Sequence, residues 1–373
     1  MQRLLAIATI IDIFILQAVW LCYSLQSFLS LRHTMKKILL VFTGGTIGSV
    51  ATDGCIKPSK DSPYQLLQML QNQYERYHEL DFTIIQPLQI LSENLAPAAW
   101  STLITSIEDN QPNSFDGIIV THGTDTLAYS AALLSLYFNK ISVPLLLVSS
   151  DYPLADARAN GLQNLICALE FIRQKIAAGV FVPYRNQQDQ ITHVHQGSRI
   201  ASSLQLTGDF YSVQNKIVSQ FKDNLFQPLN RPTPSSNDKQ YALKPIFNKQ
   251  ILMIKPYPGL NYQHFNLSGV SAVLHDLYHS GTACASAQWG SQYSQVPFIK
   301  HCAEQGIPVY LAPIIKSENA YLSTQILVDA GAKLIWNMSI EAAYAKLHLA
   351  YNCFENQNDV MEFLDANIAG EHI

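Results

Sequence analysis

The stretch ILLVFTGGTIGSV, residues 38–50, sets an unbroken apolar run against a turn that holds three glycines and two threonines. Ile38 to Phe42 reads as a buried central strand of a parallel sheet, because the run is apolar on both faces and a Gly-Gly pair closes it almost at once. The turn after it therefore lies at the strand's carboxyl end, the edge of an open α/β sheet where ligands bind. Glycines at that edge let backbone N–H groups approach a ligand closely. The spacing of Gly44, Gly45 and Gly48 fits neither G-x-G-x-x-G nor G-x-x-x-x-G-K-[ST], and no lysine follows, so the phosphate reading lacks support. What remains is an exposed hydroxyl, Thr43 or Thr46, beside oriented backbone donors. Two readings stay open at this point: a nucleophile with its oxyanion hole, or a glycine turn with incidental threonines.

Downstream, strand-like and helix-like segments alternate. DSPYQLLQMLQNQYERY (61–77) has apolar residues at helical spacing behind Pro63, and DFTIIQPLQIL (81–91) reads as a strand. The same alternation runs through APAAWSTLITSIEDN, GIIVTHG, TLAYSAALLSLYF, VPLLLVSS, NGLQNLICALEFIRQKI and GVFVPYR. Such an order implies crossover units on a doubly wound, mainly parallel sheet. Residues 226–247 interrupt it with four prolines and a polar cluster, which marks a linker. Beyond it a shorter α/β set resumes. The expected organisation is a hydrophobic leader (1–34), an N-terminal catalytic α/β domain (35–225), the linker (226–247) and a smaller C-terminal α/β domain (248–373).

Composition narrows the function. A chain of 373 residues, 48% hydrophobic and 14% charged, is an ordinary globular protein, and its net charge of −4 supplies no basic surface for nucleic acid. A small-molecule partner is favoured. The six cysteines are scattered without C-x-x-C pairs, which suits a reduced, cytoplasmic protein and no metal site. His193 and His195 alternate as strand residues would and lack a nearby third ligand. Between Leu4 and Leu31 the only charge is Asp12, long enough an apolar stretch to span a bilayer. As an anchor it would leave the rest cytoplasmic, since Arg32, Lys36 and Lys37 outweigh Arg3. Almost no tether separates it from the first strand, so an over-extended start ahead of Met35, or a dispensable leader, is the favoured expectation. Membrane contact is expected only if the leader is a real anchor.

A second stretch repeats the opening design. In DGIIVTHGTDTLAYSAALLS (116–135) a buried strand ends in a glycine flanked by His122, Thr124, Asp125 and Thr126, and a helix follows. Parallel strands share their carboxyl edge, so these residues face the same side as Thr46. Read alone, Asp125 could simply cap the helix. A second glycine turn bearing hydroxyls on one edge argues for chemistry.

TGGTIG (43–48) together with HGTDT (122–126) resembles the bacterial-type L-asparaginase and glutaminase-asparaginase family, cytoplasmic type I-like, to which the asparaginase-like subunit of archaeal glutamyl-tRNA amidotransferase also belongs. The resemblance runs from residue 36 to about 350 and keeps the two-domain order. It implies hydrolysis of L-asparagine to L-aspartate and ammonia, with Thr46 as the nucleophile and Thr124 and Asp125 as the second catalytic pair. Asp125 would also hold the substrate's α-amino group. ILSENLAPAAW (90–100) resembles the substrate-binding loop, which makes Ser92 and Glu93 the grips on the α-carboxylate and α-amino group, with Gly45 and Gly123 offering backbone donors. A zwitterion requires this mixture of donors and carboxylates. No metal or organic cofactor is implied, and a homodimer or homotetramer is. Glutamine or another asparagine-like amide, or a catalytically impaired amino-acid-binding homologue, are the alternatives.

Two departures stand out. Cys55 in DGCIKP lies near the place of a tyrosine that the family often uses to polarise the nucleophile, although the amidotransferase-related branch lacks it too. The family's relay lysine falls near Ser202 in GSRIASSLQ, where no lysine lies within a dozen residues. Lys57, two residues after Cys55 on the loop that follows the first motif, is the candidate substitute. The loop 277–290 also lacks the asparagine of the family's Gly-Asn signature, leaving Ser280 or Thr282 as candidate contacts.

Overall fold

A computed structural model describes residues 35–52, 55–58, 62–235 and 239–373, so the expected leader at 1–34 lies outside the described residues. The opening run forms β1 (Lys36–Phe42). Its side chains divide between two cores: Leu39 and Val41 on one face, Ile38, Leu40 and Phe42 on the other. A short hairpin, β2 (Ser49–Thr52) and β3 (Cys55–Pro58), follows the glycine turn. Then come α1 (Ser62–Gln73), β4 (Leu80–Ile85), α2 (Pro97–Asp109), β5 (Gly117–Thr121), α3 (Leu127–Tyr137), β6 (Pro144–Val148), α4 (Gly161–Arg173) and β7 (Gly179–Tyr184). β8 (Thr192–Gln196), β9 (Ser219–Lys222) and β10 (Leu225–Pro228) extend the sheet antiparallel, in the order β10-β9-β8-β7-β6-β5-β1-β4.

The parallel part, β4-β1-β5-β6-β7, has the 2-1-3-4-5 order of doubly wound folds. The chain leaves β1 toward one neighbour and β5 toward the other. Their carboxyl ends therefore diverge and open a crevice between them, the position where such folds bind ligands. Helix placement follows from direction. α1 packs into the core on one face, and α2 and α3, whose connections step the opposite way, pack into the core on the other. A single crossover hand requires that exchange. α4 breaks it: β6 to β7 steps in the same direction as β5 to β6, yet α4 lies with α1. Its crossover has the opposite hand to the other three.

The second sheet is all parallel, β11 (Gln250–Ile254), β12 (Val270–Asp276), β13 (Val309–Ile314) and β14 (Lys333–Trp336), in chain order. Between its strands and after them lie α5 (Gln295–Glu304), α6 (Leu322–Asp329), α7 (Ile340–Cys353) and α8 (Gln357–Asp365). α3 is apolar around nearly its whole circumference because it is enclosed by the first sheet and by α7. One apolar cluster thus runs from Val41 and Trp100 through α3 to Ala343, Leu274 and Tyr310. Trp100 donates its indole N–H to the Ser130 hydroxyl at 2.9 Å and meets Phe247, Tyr344 and His348 edge-on.

The expected linker begins too early. Phe226 belongs to β10 and stacks against Phe171 and Phe221, so an apolar side chain on a paired strand outweighs the prolines after it. Further on, Tyr241, Leu243 and Phe247 pack against the shared core.

Residues 366–373 return to the first sheet. Gln196 and Ser198 donate to the Ala369 carbonyl, and Arg199 to the carbonyls of Gly370 and His372. Lys346 on α7 bonds Glu371 at 2.5 Å, both side chains fully buried. Burial pushes the Glu371 carboxyl up, but the Lys346 ammonium and the backbone N–H groups of Ala369 and Ile368 outweigh it and hold it below the usual range. Removing one partner leaves an uncompensated buried charge. Lys346→Met is expected to lower unfolding free energy by about 3–5 kcal/mol, read in urea melts.

Candidate active site

Three loops, those after β1, β4 and β5, meet backbone to backbone at the crevice. Gly45 donates its N–H to the Ile90 carbonyl at 2.8 Å, and Ile90 donates to the Thr43 carbonyl at 3.0 Å. Gly44 (φ 104°) and Gly45 (φ 74°) both occupy the left-handed region. A Cβ on Gly44 would stand 2.3 Å from the Ile90 oxygen, and one on Gly45 would stand 2.4 Å from the Gly123 nitrogen. Here is why the opening stretch carries so few side chains: neither the backbone conformation nor the approach of the neighbouring turn leaves room for them. Gly45→Ala is expected to lower the melting temperature by several degrees, read in thermal melts, because it forces the two turns apart.

The two threonines of the motif separate in role. Thr43 is buried and donates its hydroxyl to the Thr121 carbonyl at 2.6 Å, tying β1 to β5. Thr46 begins a 3-10 turn, Thr46–Gly48, is half-buried, and its hydroxyl makes no hydrogen bond among the described residues. Ser49 secures the turn from below by donating to the Gly45 carbonyl at 2.7 Å.

Ser92, on the turn after β4, is buried against the second motif. Its hydroxyl donates to Asp125 Oδ2 at 3.1 Å and accepts the Asp125 N–H at 3.2 Å, while Thr126 donates to the Ser92 carbonyl at 3.0 Å. Gly123 allows this approach: a Cβ there would lie 2.4 Å from the Ser92 hydroxyl oxygen. Asp125 is thus engaged by Ser92, and Thr126 occupies the N-cap of α3 without a side-chain cap. The N–H groups of the first helical turn consequently keep their positive end toward the crevice. Thr124 is half-buried and Glu93 exposed on the Ser92 turn. The structure therefore brings Gly45, Gly123, Ser92 and Asp125 into direct contact. Thr46 and Thr124 are each one residue from the Gly45–Gly123 contact.

Supporting groups complete the site, only some of them with a sequence signal. Ile90 acts through its backbone alone, which no residue type could announce. His122 is buried, and burial pushes its pKa below the ordinary value. Its Nδ1–H donates to the Gly123 carbonyl at 2.8 Å, and Ser149 donates to the His122 carbonyl at 2.7 Å. His193 and His195 lie on β8, where His195 meets the Ser212 hydroxyl at 2.8 Å. Among the described residues no group of His, Cys, Asp or Glu is arranged to hold a metal.

At Ser202 the local field has the opposite sign to a lysine's. Ser202 donates its backbone N–H to Glu341 Oε1 at 2.8 Å, and its side chain lies close enough to the Tyr129 phenol to favour the phenol's ionised form, while the Tyr129 hydroxyl is directed at Met253 Sδ at 3.9 Å. Burial, followed by the Glu341 carboxylate, pushes Tyr129 up to about 12, with Tyr344 and Asp276 adding to the rise. The charged groups with the largest effect on Tyr129 are both carboxylates, Glu341 and Asp276. Lys57 is exposed on β3 opposite Val50.

Comparison with known proteins places this arrangement. The family model described as Asparaginase, N-terminal, matches residues 37–225. A glutamyl-tRNA(Gln) amidotransferase subunit from Methanosphaera stadtmanae is 25% identical over 350 residues, covering 90% of this chain and 76% of that protein. L-asparaginase 1 of Escherichia coli is 24% identical over 345 residues, covering 90% and 98%. Among solved structures, L-asparaginase I from Vibrio cholerae superposes with a TM-score of 0.70 at 25% identity, covering 91% of this chain and 99% of that one. The thermostable L-asparaginase from Thermococcus kodakarensis gives 0.73 at 23% identity, covering 90% and 99%. With the family model spanning the first sheet and both glycine turns, the chain belongs to the asparaginase family.

Proposed function

We propose that the protein hydrolyses L-asparagine to L-aspartate and ammonia through an acyl-enzyme on Thr46. The observation that supports this reading is the Gly45–Gly123 contact: Thr46 follows Gly45 with a hydroxyl that makes no hydrogen bond among the described residues, and Gly123 abuts Ser92, which bonds Asp125. The Asp125 carboxylate takes the substrate's α-ammonium. As the α-ammonium takes over the Asp125 carboxylate, the Ser92 hydroxyl turns its proton from Asp125 to the α-carboxylate, which the positive end of α3 also favours. Thr46 Oγ1 attacks the side-chain carbonyl carbon, its proton passing by way of Thr124 to the leaving nitrogen. The C–N bond breaks, ammonia departs, and water then cleaves the ester to return Thr46. Backbone N–H groups of the glycine turns stabilise the tetrahedral oxyanion. The relatives' names, an L-asparaginase and an amidotransferase component, support amide chemistry and leave glutamine as a competing substrate.

A second reading, a binding homologue with little turnover, is favoured by Ser202. The groups around it are carboxylates and phenols, and the relay through Thr124 lacks an ammonium. Ammonia release measured with asparagine, glutamine and no substrate, beside calorimetric binding of asparagine, separates the readings: binding without ammonia rejects the hydrolase. Lys57→Met is expected to leave the rate unchanged, because Lys57 is an exposed hairpin residue. A collapse of the rate would make it the relay cation. The proposal includes a cytoplasmic homodimer or homotetramer, with the two-domain division of the sequence reading and the linker starting after β10. Among the described residues no helix is long and apolar enough to cross a membrane.

A further inference from the structure

A cavity of about 570 Å³ lies apart from the crevice, at the carboxyl edge of the second sheet. Ala201, on the segment that follows β8, closes one side of it. Ile314 and Trp336, which end β13 and β14, with Met338 and Ile340 supply apolar walls. Its volume is that of a small-molecule site. None of Thr46, Ser92, Glu93, Thr124 and Asp125 lines it, whereas Ser280, the candidate contact from the loop 277–290, does.

One carboxylate, Glu341, belongs to this otherwise largely apolar lining. The residue is only 5% exposed. Its Oε1 accepts the Ser202 N–H, whereas Oε2 accepts no hydrogen bond among the described residues. The positive end of α7, capped by the Ser339 hydroxyl, eases the charge without pairing it. Among the described residues no lysine or arginine forms an ion pair with Glu341, and none lines the cavity. Another carboxylate, Asp276, feels the charge of Glu341: burial pushes Asp276 up and Glu341 adds to the rise, against the Leu277 N–H and Lys255, which lower it. Buried carboxylates ordinarily pair with a cation or take several donors. Glu341 has one donor and an adjacent cavity.

We propose that this cavity binds a small primary amine with an apolar or aromatic body, the ammonium bonding to Glu341 Oε2 and the body lying against Trp336, Ile314 and Met338. The proposal does not depend on asparagine hydrolysis. A neutral or anionic ligand of the same shape would leave Glu341 unpaired or face it with a like charge.

The test uses phenethylamine as the probe, with neutral N-acetylphenethylamine and anionic 3-phenylpropionate as matched controls, in calorimetry on the full chain. Phenethylamine is expected to bind at least about tenfold more tightly than either control, the range of a charge-assisted hydrogen bond. Glu341→Gln keeps the acceptor for the Ser202 N–H and is expected to weaken phenethylamine about tenfold while leaving the controls unchanged. Trp336→Ala is expected to weaken the amine severalfold, and it decides the location should the Gln variant fold poorly. Equal binding of the three probes, no phenethylamine binding up to about 10 mM, or an affinity insensitive to both substitutions would overturn the proposal.

Discussion

Thr46→Val removes amide hydrolysis by at least about four orders of magnitude while the melting temperature stays near that of the parent chain. The size follows from the role: a covalent route has no substitute for its nucleophile, and residual catalysis by binding and oxyanion donors lies far below the full rate. Neutrality in stability follows from the surroundings. The Thr46 hydroxyl makes no hydrogen bond among the described residues, so replacing it with a methyl strands no partner. Thr43→Val is the opposite case. Its hydroxyl is a buried donor to the Thr121 carbonyl at 2.6 Å, and losing it leaves that carbonyl short of a partner at a cost of about 1–3 kcal/mol. The pair of variants thus separates activity from stability within one four-residue stretch. Thermal melts and ammonia release on both decide the matter. Turnover surviving in Thr46→Val, or lost in a well-folded Thr43→Val, would exchange the two assignments.

That division was only half legible in the sequence. Both threonines sit in one turn, and nothing in their spacing tells which is buried. The resemblance to a family selected Thr46; the geometry supplies a physical reason for the difference. The fold itself was far more legible, because a parallel sheet covered on both faces writes its strands as continuous apolar runs, as in Ile38 to Phe42 and Leu145 to Val148. Segments such as α2 and α3 emerged within a residue or two of their expected bounds. What periodicity cannot carry is which neighbour each strand takes. The position of β1 between β4 and β5, and with it the crevice, is a tertiary fact. So is the reversed crossover of α4, whose amphipathic pattern would serve on either face of the sheet. Phe226 shows a local rule overridden, since prolines nearby read as a linker while its ring completes an aromatic cluster with Phe171 and Phe221. The Glu341–Ser202 contact joins residues 139 apart, beyond the reach of any local pattern.

Ser202→Lys is the substitution expected to raise turnover most, by about a hundredfold, with little change in KM for asparagine. A general acid–base relay contributes about 10² to 10⁴ in rate, and the chain lacks the ammonium that its family resemblance places at this position. The surroundings are already suited to a cation. The Ser202 hydroxyl lies beside the Tyr129 phenol, and Glu341 and Asp276 supply negative charge nearby. Tyr129 is on α3, one helical turn beyond Asp125, so an ammonium entering here approaches the Thr124–Asp125 pair from the helix side. The Ser202 N–H to Glu341 bond is a backbone contact and survives the change. Asp125 keeps its binding role in either background, because it takes the substrate's ammonium directly: Asp125→Ala should abolish asparagine binding with Ser202 or Lys at position 202. Steady-state rates and calorimetry on the four combinations separate the possibilities. A hundredfold gain in kcat that disappears with Asp125→Ala identifies an asparaginase whose relay has been lost and can be restored. If Ser202→Lys folds, binds asparagine as the parent does and still releases no ammonia, the missing cation is not what limits the chain. The crevice would then be a binding site for the amino acid rather than a catalyst of its hydrolysis.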